Sequence, residues 1–318
     1  MRRFLFITTG AGLLLWSVLA QRAEVEAVEI GRHNLNLLPA GKEADGIPGD
    51  FILRNSKVHA LISGAQPLRR ANMSTEYGFV TQGALYDLDL RGAANDQITA
   101  FRPGNFGGEI SYVRIAESGP RAAVEAVRTA AQGDGLYTRH EYSLEQDWQH
   151  ILITSTYRNE SRQPKTITPQ PAWKAFSTEW DVAGVQVGDA IDPFDKRAYA
   201  YTSLSGTIEK EATLQPSETR TYKVALAVAD SPAAAYGVIA ALLGPTGALT
   251  ATVKDDSPEP PLHGALLLPV AGKNLPAYPN AAGAIALRLP PGAYSATFQD
   301  IGRDATAQTI AIAANQTA

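Results

Sequence analysis

Short segments in which apolar and polar residues alternate recur along the chain, and turn residues separate them. The clearest segment is 150–159, where β-branched residues dominate and every second side chain is expected on the same face of a strand. Ile151, Ile153, Ser155 and Tyr157 would therefore share one face. Helical periodicity is scarce elsewhere, so the pattern predicts an all-β protein built from antiparallel strands.

The 318 residues correspond to about two domains of roughly 100–200 residues each. Residues 28–230 contain many predicted short strands, as expected for a large antiparallel sandwich. Residues 246–318 contain fewer strands and fit a small transthyretin-like β-sandwich. Between them, residues 231–244 predict a short linker helix, because Ser231 is a good N-cap and Pro232 suits the first helical position.

The first twenty residues have the three parts of a signal peptide: two arginines, an apolar stretch over 4–15, and small residues at Val18 and Ala20. This pattern predicts cleavage before Gln21. The alternative is an uncleaved anchor, although the apolar stretch 4–20 is at the lower limit for a spanning helix. We therefore expect a periplasmic or secreted protein with no transmembrane segment after cleavage.

Charge and residue content exclude several classes of function. The net charge is −4 and no run of Lys or Arg follows the leader, so nucleic acid is not an expected partner. The chain has no cysteine, which excludes disulfides, thiolate metal sites and cysteine nucleophiles. The closest two of the five histidines, His140 and His150, are ten positions apart and do not form a His-x-His pair. We predict no metal site and no cofactor.

The C-terminal region carries a recognisable motif. Residues 289–294 read Leu-Pro-Pro-Gly-Ala-Tyr, with Ala-Gly-Ala-Ile before them at 282–285 and Gly-Arg after them at 302–303. This pattern resembles the carboxypeptidase regulatory-like family. The resemblance covers about 70 residues and implies a structural or adhesive β-sandwich that carries no catalytic residues.

The larger N-terminal region resembles the leading, non-catalytic part of CehA/McbA-type metallohydrolases. The segments that carry this resemblance are 41–46, 49–55, 86–88 and 95–98. It implies a galactose-mutarotase-like supersandwich followed by a regulatory-like domain, so the expected fold is a large antiparallel β-supersandwich, one linker helix and a small transthyretin-like sandwich. In such relatives a metal-dependent PHP hydrolase domain follows. Here Ala318 stands where that domain would begin, so its chemistry is not expected in this chain.

Two side chains on a predicted strand are the only local hint of acid–base chemistry. His140 and Tyr142 share one face of the strand predicted from residue 136, whereas Glu141 points to the opposite face. His140 and Glu141 therefore cannot form one site. His140 and Tyr142 could transfer protons in a mutarotase- or lyase-like cleft, but a structural strand histidine is the commoner case.

A second candidate site combines aromatic and acidic residues. Three prolines between 164 and 171 predict a loop, and Trp173, Trp180 and Asp181 follow closely. Aromatic faces beside carboxylates commonly hold sugar rings by stacking and hydrogen bonding. The alternatives are core tryptophans and an exposed acidic loop.

These observations favour an exported, non-catalytic protein that binds a carbohydrate or another envelope component. One alternative is a carbohydrate-active enzyme that uses the supersandwich cleft. Another is the accessory half of a split or truncated metallohydrolase, with a separately encoded catalytic chain as its partner.

Overall fold

The computed structural model describes residues 25–39, 46–67, 82–98, 100–104, 110–174, 178–189, 196–253, 264–301 and 304–318. The predicted leader and its cleavage site at Gln21 lie outside these residues. Within them, no helix is both long enough and apolar enough to cross a membrane.

Sixteen strands precede the single α-helix of the described chain. They are β1 (Glu26–Glu29), β2 (Phe51–Arg54), β3 (Val58–Ile62), β4 (Leu85–Leu90), β5 (Ala100–Arg102), β6 (Tyr112–Glu117), β7 (Arg121–Arg128), β8 (Leu136–Glu145), β9 (His150–Asn159), β10 (Lys165–Ile167), β11 (Ala172–Lys174), β12 (Thr178–Val182), β13 (Val185–Asp189), β14 (Ala198–Ser203), β15 (Ala212–Leu214) and β16 (Thr219–Ala229). The helix and the strands after it are α1 (Pro232–Leu243), β17 (Gly247–Thr252), β18 (Ala265–Val270), β19 (Lys273–Ala277), β20 (Ala284–Leu289), β21 (Gly292–Gln299) and β22 (Thr306–Ile312).

The strands form antiparallel sheets, which confirms the predicted all-β class with one helix. A six-stranded sheet has the order β1-β2-β3-β4-β5-β11, and an eight-stranded sheet has the order β12-β13-β14-β16-β9-β8-β7-β6. Strands β10 and β15 form a two-stranded sheet. After the helix, β17 pairs with β20, and β19-β18-β21-β22 form a four-stranded sheet.

The two large sheets pack face to face over a hydrophobic core. Ala60 and Leu88 of the six-stranded sheet belong to the same buried cluster as Val124, Tyr142 and Ile153 of the eight-stranded sheet. We call the side of the eight-stranded sheet that faces this core its inner face, and the opposite side its outer face. Because side chains alternate along each strand, every residue of the eight-stranded sheet is assigned to one face by its register.

Strand β9 confirms the predicted alternation. Ile151 and Ile153 lie in the core between the sheets, and Tyr157 joins a smaller buried cluster on the same side. Ser155, between them on that face, contacts His140 of the neighbouring strand. The strand spans the predicted residues 150–159.

Helix α1 begins and ends where its cap residues predict. Pro232 is its first residue, and the Ser231 hydroxyl accepts a hydrogen bond from the amide of Ala234. The helix is more than a linker, because Ile239 lies in one continuous hydrophobic cluster with Val187 of the eight-stranded sheet and with the strands that follow the helix. The outer face of β12 to β14 and β16 is therefore covered by α1 and the C-terminal strands.

The loop expected around residues 164–181 is wrong over much of its length, because β10, β11 and β12 form within it and β13 follows. Strands β12 and β13 are joined by the two-residue turn Ala183-Gly184, in which both residues have positive φ, 52° and 87°. Such turns are usually marked by Asn-Gly or Asp-Gly. Alanine rarely adopts this backbone conformation, so the turn left little signal in the sequence.

Candidate functional site

An open cleft lies on the inner face of the eight-stranded sheet, at the edge of the six-stranded sheet. Its volume is about 550 Å³. The floor is made by side chains of three adjacent strands, Gln186 on β13, Tyr201 and Ser203 on β14, and Val224 on β16. Its walls come from Gln170 and Pro171 before β11, Gly184 in the β12–β13 turn, and Gly206, Thr207 and Ile208 after β14. The cleft is therefore built on strands and bordered by loops, as many binding sites are.

Four polar side chains of the cleft keep their hydrogen-bonding groups available. Gln170, Gln186, Tyr201 and Thr207 line it, and within the described chain none of these side chains hydrogen-bonds to protein. The Thr202 hydroxyl donates to the carbonyl of Gly184, and the Ser203 hydroxyl accepts a hydrogen bond from the Ser205 amide. Two amides and two hydroxyls offer both donors and acceptors to a bound molecule.

The ring of Tyr201 is held by two aromatic neighbours. Phe101 packs against it at a centroid distance of 5.4 Å, and Trp173 packs edge-on at 4.6 Å. Burial, together with the charges of Glu179 and Asp181, raises the pKa of Tyr201 to about 12. The hydroxyl is therefore protonated at neutral pH and acts as a hydrogen-bond donor and acceptor.

Trp173 and Asp181 lie beside this cleft, but Trp180 does not. Asp181 pairs across the strands with Gln186, which pairs with Tyr201, so the three side chains form one row on the inner face. Trp180 is the neighbour of Asp181 in sequence and therefore points to the outer face, where it packs against the cluster around α1. A single ligand cannot contact both Trp180 and the cleft.

His140 and Tyr142 share the inner face as predicted, but both are completely buried, Tyr142 in the core between the two large sheets. The Nδ1 atom of His140 lies 2.8 Å from the Ser155 hydroxyl, and the Tyr142 hydroxyl donates to the carbonyl of Gly83 at 2.7 Å. Burial lowers the pKa of His140 to about 3 and raises that of Tyr142. These side chains have structural partners and no access to a substrate.

The outer face of β6 to β8 carries charges that satisfy one another. Glu125 is almost fully buried and accepts hydrogen bonds from Arg114 at 2.6 Å and from Arg139 at 2.5 Å. Glu141 likewise pairs with Arg121 and Arg139. Each carboxylate of this ladder is thus paired with two arginines, so neither Glu125 nor Glu141 offers an unpaired charge to a ligand.

A smaller groove of about 370 Å³ lies where the eight-stranded sheet, α1 and β20 meet. Its polar groups also have protein partners. The Lys196 ammonium lies 4.6 Å from the centre of the Tyr278 ring, and the Tyr278 hydroxyl donates to Asp189 at 2.6 Å. Asp230 pairs with Arg197 at 2.8 Å. The groove is therefore a polar junction that joins the parts of the protein.

Across the described ranges, no group of three or more His, Asp or Glu side chains is arranged to hold a metal ion. The site that can be described from this structure is thus a polar cleft with one central tyrosine.

No protein-family model and no curated protein matches the chain. Among solved structures, the chain is similar to a TPR-domain containing protein from Parabacteroides distasonis, with 11% identity and a TM-score of 0.40. The match covers 68% of this chain and 55% of that protein. It is also similar to the heparan sulfate lyase HepC from Pedobacter heparinus, with 10% identity and a TM-score of 0.38. That match covers 75% of this chain and 42% of the lyase. A third similar structure is the GH36 α-galactosidase AgaA from Geobacillus stearothermophilus, with 12% identity and a TM-score of 0.34. The match covers 57% of this chain and 40% of the galactosidase.

The chain thus spans about half the length of these proteins or less. At such low TM-scores the likenesses establish neither a ligand nor a reaction for this chain.

The residues that sequence reasoning missed are those on the cleft floor. Strand β14 spans 198–203, and its alternation places Tyr199 and Tyr201 on one face. Only Tyr201 reaches the cleft, because Tyr199 is fully buried between the sheets. Gln186 had no signal of its own, since the hairpin that carries it was expected to be a loop.

Proposed function

We propose that the cleft around Tyr201 binds a carbohydrate and that the chain performs no chemistry on it. The observation that carries the proposal is the set of four unengaged polar side chains around one tyrosine ring. Sugars present a dense array of hydroxyls that both donate and accept hydrogen bonds, together with apolar C–H faces that pack on aromatic rings. The lining of this cleft complements both features.

The environment of Tyr201 favours binding over acid–base catalysis. A tyrosine that acts as a general base must lose its proton near neutral pH. Here burial and two carboxylates raise the pKa of Tyr201, which is the opposite of what a base requires. No histidine lines the described cleft, and the Tyr201 hydroxyl is not hydrogen-bonded to a described carboxylate.

A glycan array followed by calorimetry on the mature chain tests this proposal. Tyr201→Ala should weaken binding of the best glycan tenfold or more, and Gln186→Ala by about threefold to tenfold, the effect of one uncharged hydrogen bond. Gln132→Ala is the matched control, since Gln132 lies in the β7–β8 turn at the other edge of the sheet. Trp180→Ala should also leave binding unchanged, because Trp180 is on the outer face.

Binding that is unaffected by Tyr201→Ala would remove the cleft as the site. Release of new reducing ends or unsaturated products from the bound glycan would show catalysis and overturn the non-catalytic part of the proposal.

We further propose that the chain is exported to the periplasm or the medium, supported by the three-part leader. Sequencing the N-terminus of the protein from the periplasmic fraction should begin at Gln21. An envelope component or a separately encoded metallohydrolase is the partner that the family resemblance suggests. Co-purification of the chain with a metal-dependent hydrolase would support this partner. Glycan binding by the isolated chain, without any partner protein, would argue against it.

A further inference from the structure

Resting on the proposed function, we infer that the cleft selects uncharged sugars and discriminates against uronic acids and sulfated sugars. The inference depends on the sign and position of the charges around the cleft, which are independent of the hydrogen-bonding groups that line it.

The lining itself is uncharged. Every described residue that forms the cleft is an amide, hydroxyl, aromatic, aliphatic, proline or glycine residue. A carboxylate or sulfate on a ligand would therefore lose water without gaining a cationic partner among these residues. Charged groups are costly to desolvate without such a partner, so the lining alone disfavours an anionic ligand.

Two carboxylates stand at one end of the cleft and add repulsion. Glu179 and Asp181 are two residues apart on the edge strand β12, so both lie on its inner side, next to the row formed by Gln186 and Tyr201. Both are exposed, and neither takes part in an ion pair within the described chain. Asp181 accepts one hydrogen bond, at 2.9 Å, from the amide of Gly184. Their negative charges are therefore not cancelled locally.

The opposite end of the cleft does not compensate for them. Beyond Ile208, Glu209 accepts a hydrogen bond from Tyr222 at 3.2 Å, and Lys210 follows it in an exposed position. Glu211 follows Lys210 and is also exposed, so two acidic residues flank one basic residue at that end. Among the described residues, the charges at both ends of the cleft are therefore predominantly negative.

The expected size of the discrimination follows from Coulomb's law. A carboxylate about 7 Å from a ligand anion in water weakens binding about threefold, so the two weaken it by roughly tenfold. Salt screens exposed charges over about 8–10 Å at 0.10–0.15 M, and over about 3 Å at 1 M. The repulsive part of the discrimination should therefore disappear in 1 M NaCl.

The test uses matched pairs of neutral and acidic oligosaccharides. Cellotetraose, galactotetraose and mannotetraose serve as neutral probes, and the same compounds oxidised at C6 to uronic acids serve as anionic probes. In low salt the wild-type chain should bind a neutral probe at least tenfold more tightly than its oxidised counterpart. The double variant Glu179→Gln/Asp181→Asn should gain about tenfold for the oxidised probe and change less than twofold for the neutral one.

The control Asp147→Asn removes an exposed carboxylate from the β8–β9 turn and should leave the preference intact. Equal or tighter binding of the oxidised probes by the wild-type chain would overturn the inference while leaving the proposed function in place. A preference that is unchanged in the double variant would overturn the role of the two carboxylates. Binding of neither kind of probe, at the cleft or elsewhere, would overturn the proposed function itself.

Discussion

The imidazole of His140 is fully excluded from solvent on the inner face of the eight-stranded sheet, with the Ser155 hydroxyl 2.8 Å from its Nδ1 atom. Tyr201, on the same sheet face, lies at the margin of the six-stranded sheet and is only partly buried. Burial therefore separates a structural residue from a residue that reaches the cleft, although both are polar aromatic side chains on strands.

Burial of His140 predicts a loss of stability in acid. Its pKa is lowered by desolvation to about 3, whereas in the unfolded chain it returns to about 6.5. The free energy of unfolding is therefore unaffected by His140 above pH 6.5. It decreases as the pH falls below 6.5, because only the unfolded chain takes up the proton. At pH 5 this amounts to about 2 kcal/mol.

Chemical denaturation of the wild type and of His140→Gln at pH 7.5 and pH 5.0 measures this effect. Between pH 7.5 and pH 5.0, the free energy of unfolding should fall by about 2 kcal/mol more in the wild type than in the variant. This difference does not depend on how much the substitution destabilises the protein at pH 7.5. His33→Gln, which removes an exposed histidine, should keep the wild-type pH dependence. Equal losses in the wild type and His140→Gln would contradict the burial of a neutral imidazole.

Among the secondary-structure elements, α1 shows how closely backbones approach in this protein. Gly237 faces β20, and a Cβ atom at Gly237 would come within 2.2 Å of the backbone oxygen of Arg288. A glycine inside a helix lowers helix propensity by about 1 kcal/mol relative to alanine. Its presence here is explained by this close contact between the helix and the strand.

We expect Gly237→Ala to destabilise the protein by about 1–3 kcal/mol, because the helix must move away from β20 and the cost of overpacking exceeds the gain in propensity. The matched control is Gly244→Ala at the end of the same helix. A Cβ atom at Gly244 would meet no atom within 4 Å, and the backbone there is extended. It should change stability by less than about 0.5 kcal/mol. Thermal or urea unfolding compares the two, and a stabilised Gly237→Ala variant would refute the close packing.

On the scale of the whole molecule, one hydrophobic cluster joins the eight-stranded sheet, α1 and the C-terminal strands. It includes Val187 and Ala200 before the helix, Ile239 within it, and Leu268 and Leu287 after it. Separating the two parts would expose apolar surface on both, at a cost of about 25 cal/mol for each Å². The chain should therefore behave as one cooperative unit.

Calorimetry of the intact chain should show a single unfolding transition. Ile239→Ala, which removes a fully buried side chain from the shared cluster, should lower the stability of that one transition by about 2–5 kcal/mol without splitting it. Leu53→Ala, in the core between the two large sheets, should shift the same transition by a similar amount. Two resolved transitions would show that the helix does not couple the two parts.

Local patterns were sufficient for much of the fold. The alternation over 150–159 predicts the bounds of β9 without error, and the cap residues Ser231 and Pro232 predict the start of the helix. These features depend on interactions between residues close in sequence, such as the hydrogen bond from the Ala234 amide to Ser231. The β12–β13 hairpin was missed because its turn uses an alanine in a conformation that usually requires glycine or asparagine.

The sequence by itself therefore determined the all-β class, the position of β9, the helix that begins at Pro232, and the rule that His140 and Glu141 point to opposite faces. Only the tertiary structure decided which polar residues meet in the cleft. The six-stranded sheet packs over Tyr142, and its edge strand β11 brings Trp173 against Tyr201, an arrangement that depends on sheet order and register. Those are set by packing between residues far apart in the chain, which no local pattern encodes.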